Sequence, residues 1–242
     1  MLRAFLGIGL TALFGVGSAQ AGPWAREQGD VFLSFSLSSA SSRDQIAAGA
    51  LDPENYLSAY AEVGLGRRLT LGFDLGGDDD SSLNTIFLRR TFTPPNRPLQ
   101  IAADLGFGRR ETEGGLGEEV TDVYRLGFSI GRGFGPAALD WLPFLQPSGG
   151  WMSLDTSYLH LAETGDAIVE AEGTLGLNIT GNFAGLLQLQ AEQFPIGDTV
   201  VTLTPSVLYR IRGGPMSAQV GTRIGLAGSE EVGLQLGLWR EF

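Results

Sequence analysis

The chain ends in Val232-Gly-Leu-Gln-Leu-Gly-Leu-Trp-Arg-Glu-Phe242. Val232, Leu234, Leu236 and Leu238 fall at every second position, and Phe242 keeps their register. Such alternation marks a strand with one apolar and one polar face. Chain ends usually fray unless they are tied down. A half-apolar strand that runs to the last residue therefore calls for a partner strand and an apolar surrounding.

The same rhythm recurs upstream. Val31, Leu33, Phe35 and Leu37 alternate with Phe32, Ser34, Ser36 and Ser38. Leu57 to Leu65, Leu69 to Leu75, Leu99 to Phe107 and Tyr124 to Ile130 repeat it, as do Ala167 to Leu177, Leu187 to Ala191, Val201 to Tyr209 and Ala218 to Leu226. With weaker runs at residues 83–93 and 141–153, the pattern predicts about twelve strands of roughly 9–12 residues. Soluble strands average ~5–6 residues, whereas a tilted strand that crosses a bilayer needs ~9–11. No repeat or composition break divides residues 22–242, which read as one all-β domain.

Closure decides which face is outside. About eight strands make a barrel that side chains can fill. Twelve closed around Leu, Val and Ala would enclose a dry void, which packing does not tolerate. Turned outward, the same faces meet lipid, and closure satisfies every backbone N–H and C=O. The expected fold is a single antiparallel transmembrane β-barrel.

The connectors alternate in kind. Residues 66–68, 94–98, 179–182 and 212–215 read as tight turns, with 131–140 a longer exception that includes the turn-like 131–136. Residues 39–55, 76–82, 109–122, 154–166 and 229–231 read as longer acidic loops. Short turns at one end and longer loops at the other are typical of outer-membrane barrels. Trp24, Tyr56, Phe92, Phe107, Trp141, Trp151, Phe194, Tyr209, Trp239 and Phe242 are candidates for interfacial aromatic girdles.

At the other terminus, Met1-Leu-Arg3 is followed by an apolar run to Gly17 and by Ala19-Gln-Ala21. This is the pattern of a Sec-type signal peptide, expected to be cut after Ala21. The formal charge of −11 at pH 7 argues against nucleic acid as a partner. All sixteen basic residues are arginine, and there is no cysteine to form a disulfide or thiolate site.

The closing stretch resembles the C-terminal assembly signal of bacterial outer-membrane β-barrels, in which a terminal Phe follows alternating apolar residues. Leu234, Leu236, Leu238 and Phe242 carry that likeness, and Arg240 departs from it. The stretch GPWAREQGDVFLSFS, residues 22–36, is similar to the start of uncharacterised Gram-negative outer-membrane proteins. The resemblance implies the outer membrane as location, and its lipids, lipopolysaccharide and the barrel assembly machinery as partners.

Chemistry-bearing residues are sparse. His160 is the single histidine; a Ser–His–acid site would need Ser157 with Asp155 or Glu163. Asp78-Asp79-Asp80 lacks the spacing of an EF-hand and reads as a solvated acidic loop. No cofactor or metal is expected. The polar strand faces would point inward, carrying Glu62, Asp74, Arg89, Asp104, Arg125, Glu170, Glu172, Glu192, Arg210 and Arg223. Asp74, Arg89 and Asp104 fall at mid-height on consecutive strands and predict a lateral row with the guanidinium between two carboxylates. These charges suit either a rigid plug or a constriction that filters solutes. The favoured expectation is a small porin-like channel for hydrophilic solutes, with no covalent chemistry. A non-conducting interaction barrel and a lipid-modifying enzyme are the alternatives.

Overall fold

The alternating runs form strands, except that of the weaker run at 141–153 only residues 149–153 are seen as strand and 141–146 lie outside the described residues. The computed structural model describes residues 22–50, 52–114, 117–136 and 147–242. The expected signal peptide and Trp141 lie outside these residues. The strands are β1 (Val31–Ser42), β2 (Glu54–Gly66), β3 (Leu69–Gly77), β4 (Ser81–Thr91), β5 (Leu99–Gly114) and β6 (Gly117–Phe134). They continue as β7 (Gly149–Leu161), β8 (Ala167–Thr180), β9 (Phe183–Gln193), β10 (Val200–Arg210), β11 (Met216–Ala227) and β12 (Glu231–Glu241). Each pairs antiparallel with its sequence neighbours, and β1 closes on β12 in a twelve-stranded barrel.

The seam explains the sequence of the last strand. Leu37 pairs with Leu236, Phe35 with Leu238 and Leu33 with Arg240. The Phe242 N–H then donates to the Val31 carbonyl at 2.9 Å. The terminal residue is thus part of the seam, and no strand edge is left open there. Arg240 faces outward, where its guanidinium lies 4.0 Å from the centre of the Phe242 ring.

Residues paired in register share a face, so the closed ladder fixes inside and outside everywhere. Each strand sends at least one large apolar side chain outward; Leu57 is 64% exposed and Leu105 67%. Glu62, Arg89, Asp104 and Gln100 are instead buried within the barrel. An apolar belt around a polar interior is the reverse of a soluble barrel and suits a bilayer.

Three expectations of loop or turn need correction. Residues 109–122 lie mostly in the long β5–β6 hairpin, residues 154–161 are strand, and residues 131–134 end β6. The physical reason is common to them. Pairing continues beyond the apolar belt into water, where a strand need not alternate, so the period-two signal stops before the ladder does. True loops include the β1–β2 connection, which holds the short helix α1 (Arg43–Ala48). Ser42 caps it in a reciprocal box with Gln45, and Gly49 ends it in the left-handed region. At the opposite end, shared with the termini, Arg67 and Arg68 make the β2–β3 turn at φ of 52° and 62°. Positive φ at both central residues is the twist-matched hairpin geometry, here adopted without glycine.

The aromatic girdle is also narrower than expected. Phe92, Phe107 and Phe242 are exposed on the outside. Trp151 and Trp239 point inward, where they pack with Ala184, Leu186, Leu208 and Trp24. Phe194 packs on an interior cluster of Val123, Leu159, Leu161 and Ile168, and Tyr56 lines the interior cavity. Strand ends in this barrel close their own bore with aromatic rings, so position along a strand does not by itself make an aromatic interfacial.

Candidate functional site

Strands β2 to β6 place one ionisable side chain after another on the inner wall. Arg89 on β4 donates from Nη1 to Glu62 Oε1 on β2 at 2.6 Å, and from Nε to Asp104 Oδ2 on β5 at 3.4 Å. Arg125 on β6 donates from Nε to Asp104 Oδ1 at 2.9 Å, and its Nη1 lies 3.5 Å from Asp74 Oδ2 on β3. Arg26, ahead of β1, reaches Glu62 Oε2 at 2.9 Å and Glu241 Oε1 on β12 at 3.2 Å. The result is a chain alternating in sign: Glu241, Arg26, Glu62, Arg89, Asp104, Arg125, Asp74. The Phe87 ring sits beside both Arg89 and Arg125, at 5.0 and 4.8 Å, and Phe32 beside Arg26 at 4.7 Å. Tyr60 adds a hydroxyl that donates to Glu62 Oε1 at 2.7 Å. Buried charges persist only when paired and hydrogen-bonded in this way.

The expected row of Asp74, Arg89 and Asp104 is therefore only partly correct. Arg89 pairs in register with Asp104, but Asp74 stands opposite Thr85 and turns to Arg125. Glu62 takes the place expected for Asp74. Equal depth on neighbouring strands was inferred without the stagger of the ladder, which shifts each strand along the next.

Sequence reasoning missed the segment that completes this site. Residues 22–30 run up the inside of the barrel from the termini end. The Gly22 carbonyl accepts from Arg89 Nη1 and the Pro23 carbonyl from Thr91 Oγ1, each at 2.9 Å. Gly29 and Asp30 exchange backbone bonds with Gly64, both at 2.9 Å. Trp24 lies on the apolar shelf formed by Trp151, Ala184, Leu186 and Leu208. Two glycines make the room. A Cβ on Gly64 would stand 1.8 Å from the Glu27 carbonyl oxygen, and one on Gly131 would stand 2.6 Å from the Trp24 ring. Those bare backbones in otherwise alternating strands were the only trace of the strap in the sequence.

Above the strap lies a cavity of about 590 Å³. It runs from a mouth at Glu54, Asp78 and Glu231 down to a floor that includes Gly22, Phe32, Trp151 and Trp239. One wall carries the serines of β1 and β2, the other an acidic patch on β8 and β9. Glu170 stands directly opposite Glu192, and Glu172 opposite Gln190. Glu172 accepts from Thr174, Gln188 and Gln190 at 3.0, 3.1 and 2.8 Å, and Glu170 accepts a short bond from Ser157. None of these three glutamates has a salt bridge among the described residues. Arg223 lines the same cavity and donates to Thr202. Arg210 lies near the termini end of β10, away from this group, and is not among the cavity's lining residues.

The structure separates the histidine from its possible partners. His160 sits on the outer face of β7, paired with Tyr124 and Ala167, whereas Asp155 and Ser157 point inward. Residues of opposite parity on a strand cannot meet, so no Ser–His–acid array forms there. Asp78 instead caps its own turn, with Oδ1 accepting from the backbone N–H of Asp80 and of Ser81 at 3.0 and 2.7 Å.

A closed, inside-out antiparallel barrel with a charged bore defines the class: a transmembrane β-barrel of the bacterial outer-membrane type. Among solved structures the chain is similar to an outer-membrane channel from Pseudomonas putida, with TM-score 0.55 and 12% identity over 93% of this chain and 100% of that one. It is also similar to the KdgM porin, with TM-score 0.52 and 10% identity over 86% and 99%. A more distant likeness, TM-score 0.48 and 15% identity over 89% and 100%, is to the β domain of the Bordetella autotransporter BrkA. No protein-family model matches the sequence, and no curated protein does.

Proposed function

We propose that the protein is an outer-membrane channel for small hydrophilic solutes, held closed at its periplasmic end by residues 22–30. The observation that carries this reading is the bore itself. A polar cavity ends on a floor where aromatic rings of the wall meet a strap held by hydrogen bonds and ion pairs. A static structural barrel gains little from filling its centre with charge, because apolar residues of similar volume would serve as well or better. The glutamates of β8 and β9, which form no salt bridge among the described residues, favour cations along the conducting path. Two of the structural neighbours are a porin and an outer-membrane channel, which accords with this use of the fold, although fold alone does not assign function.

The test is single-channel recording from the purified protein in planar bilayers, alongside a variant lacking residues 23–28. The expected result is rare or small openings for the whole chain and steady, larger, cation-preferring conductance for the deletion. A flat trace from both, with heat-modifiable gel migration showing folded barrels, refutes the channel and leaves a non-conducting interaction barrel.

A further inference from the structure

We propose that the barrel contains a receptor for its own processed N-terminus: the α-ammonium of Gly22, freed by cleavage after Ala21, docks between Asp155 and the Trp24 ring and latches the strap. The proposal rests on the leader being cut at that position; it does not depend on the barrel conducting.

The geometry comes from what surrounds Gly22. It is a buried residue at the floor of the cavity. A Cβ placed on it would lie 3.5 Å from Asp155 Oδ2 and 3.2 and 3.5 Å from two carbons of the Trp24 ring. Once no residue precedes Gly22, its nitrogen is free to turn about the Cα–C bond into that same direction. The N–Cα and Cα–Cβ bonds differ in length by less than about 0.1 Å. The rotated ammonium would therefore stand at contact distance from a carboxylate and an indole at once. Any side chain at residue 22 would compete for this space.

Asp155 meets the Ser129 and Ser153 hydroxyls and feels the more distant charge of Arg89, but it is not fully satisfied. Its Oδ1 is buried without a hydrogen-bond partner, and it forms no salt bridge among the described residues. Arg89 is engaged by Glu62, Asp104 and the Gly22 carbonyl. Arg125 is engaged by Asp104 and Asp74. An unsatisfied carboxylate oxygen inside a barrel is costly, and an ammonium supplies both the charge and the donors it lacks. Trp24 adds a ring contact at the same point.

The sequence makes the experiment unusually clean. The chain has no lysine, so the processed protein carries a single primary amine, at its N-terminus. Terminal sequencing of outer-membrane material should return Gly22 first; another start overturns the proposal. The folded protein and its denatured form would then be treated with an amine-acylating reagent at fixed pH, with labelling read by intact mass. The expected result is labelling at least ~10-fold slower in the folded barrel, as for any group that reacts only from a locally opened state. Equal rates in the two forms overturn it.

Asp155→Asn should restore fast labelling in a barrel that still shows heat-modifiable migration, while Ser36→Ala, on β1 and bonded to Ser58, should leave protection intact. If Asp155→Asn fails to fold, the wild-type comparison alone still decides the matter. Protection without conductance would sink the channel reading and leave the latch standing. Conductance with an unprotected amine would do the reverse.

Discussion

Replacing Arg89 by Gln removes the guanidinium that joins β2, β5 and the strap. Three polar contacts disappear: to Glu62 at 2.6 Å, to the Gly22 carbonyl at 2.9 Å and to Asp104 at 3.4 Å. Neither acid is wholly abandoned, because Glu62 keeps Arg26 and Tyr60, and Asp104 keeps Arg125. Breaking a buried pair by removing one partner costs about 3–5 kcal/mol, and the surviving partners place this case near the lower end. A loss of about 3 kcal/mol lowers the folded-to-unfolded ratio roughly a hundredfold. Urea titration in lipid vesicles, read by the shift between folded and unfolded gel bands, would measure it. The companion variants are Glu62→Gln and the double substitution. Removing both members of the pair should cost less than the sum of the single losses, by about 1–3 kcal/mol of coupling. Stability of Arg89→Gln within about 0.5 kcal/mol of the parent, the range of an ordinary surface change, would refute the view that the ionic chain clamps the interior.

Gly64→Ala should dislodge the strap, since its Cβ would overlap the Glu27 carbonyl; larger conductance from a barrel that still migrates as folded is the expected reading. Neutralising both Glu170 and Glu192 as Gln should shift the reversal potential in a salt gradient toward lower cation preference. It should also raise stability by about 0.2–1 kcal/mol by removing a direct like-charge pair. Leu236→Arg, at the middle of the outer face of β12, should cost about 2–4 kcal/mol in the same vesicle titration. Deleting Phe242 removes the last seam bond to Val31. We expect a lower yield of folded barrel in the outer membrane, measured as the ratio of folded to unfolded bands.

The strands were legible because lipid imposes period two on most of the outer face. Leu57, Leu105 and Leu236 have no acceptable position except outward, so the pattern fixes both the strand and its facing. What lies inside is chosen by packing, and there the rule weakens. Phe32, Phe87, Leu159 and Trp239 occupy inward positions that alternation reads as polar. Asp155 falls in a stretch that reads as loop because the apolar rhythm of β7 is broken by Thr156 and His160 on its outer face. The strap was hidden for a different reason. An irregular segment held by carbonyls and glycines has no periodicity, and its partners lie far away in sequence, Arg26 on Glu241 being the extreme case.

That last contact bears on the order in which the molecule is made. Arg26 grips Glu62 on β2 and Glu241 on β12, which lie on either side of β1. One grip can form while the chain is still a growing sheet. The other waits for the final strand, since Glu241 is the penultimate residue. Contacts between such distant parts of a chain form late and slowly. The strap must already lie within the curl of the sheet when β12 arrives, because a closed ladder leaves no sideways entrance. Seating the N-terminal segment and shutting the cylinder are thus one event, and a nascent barrel that closes without its strap has only the narrow axial route by which to take it in.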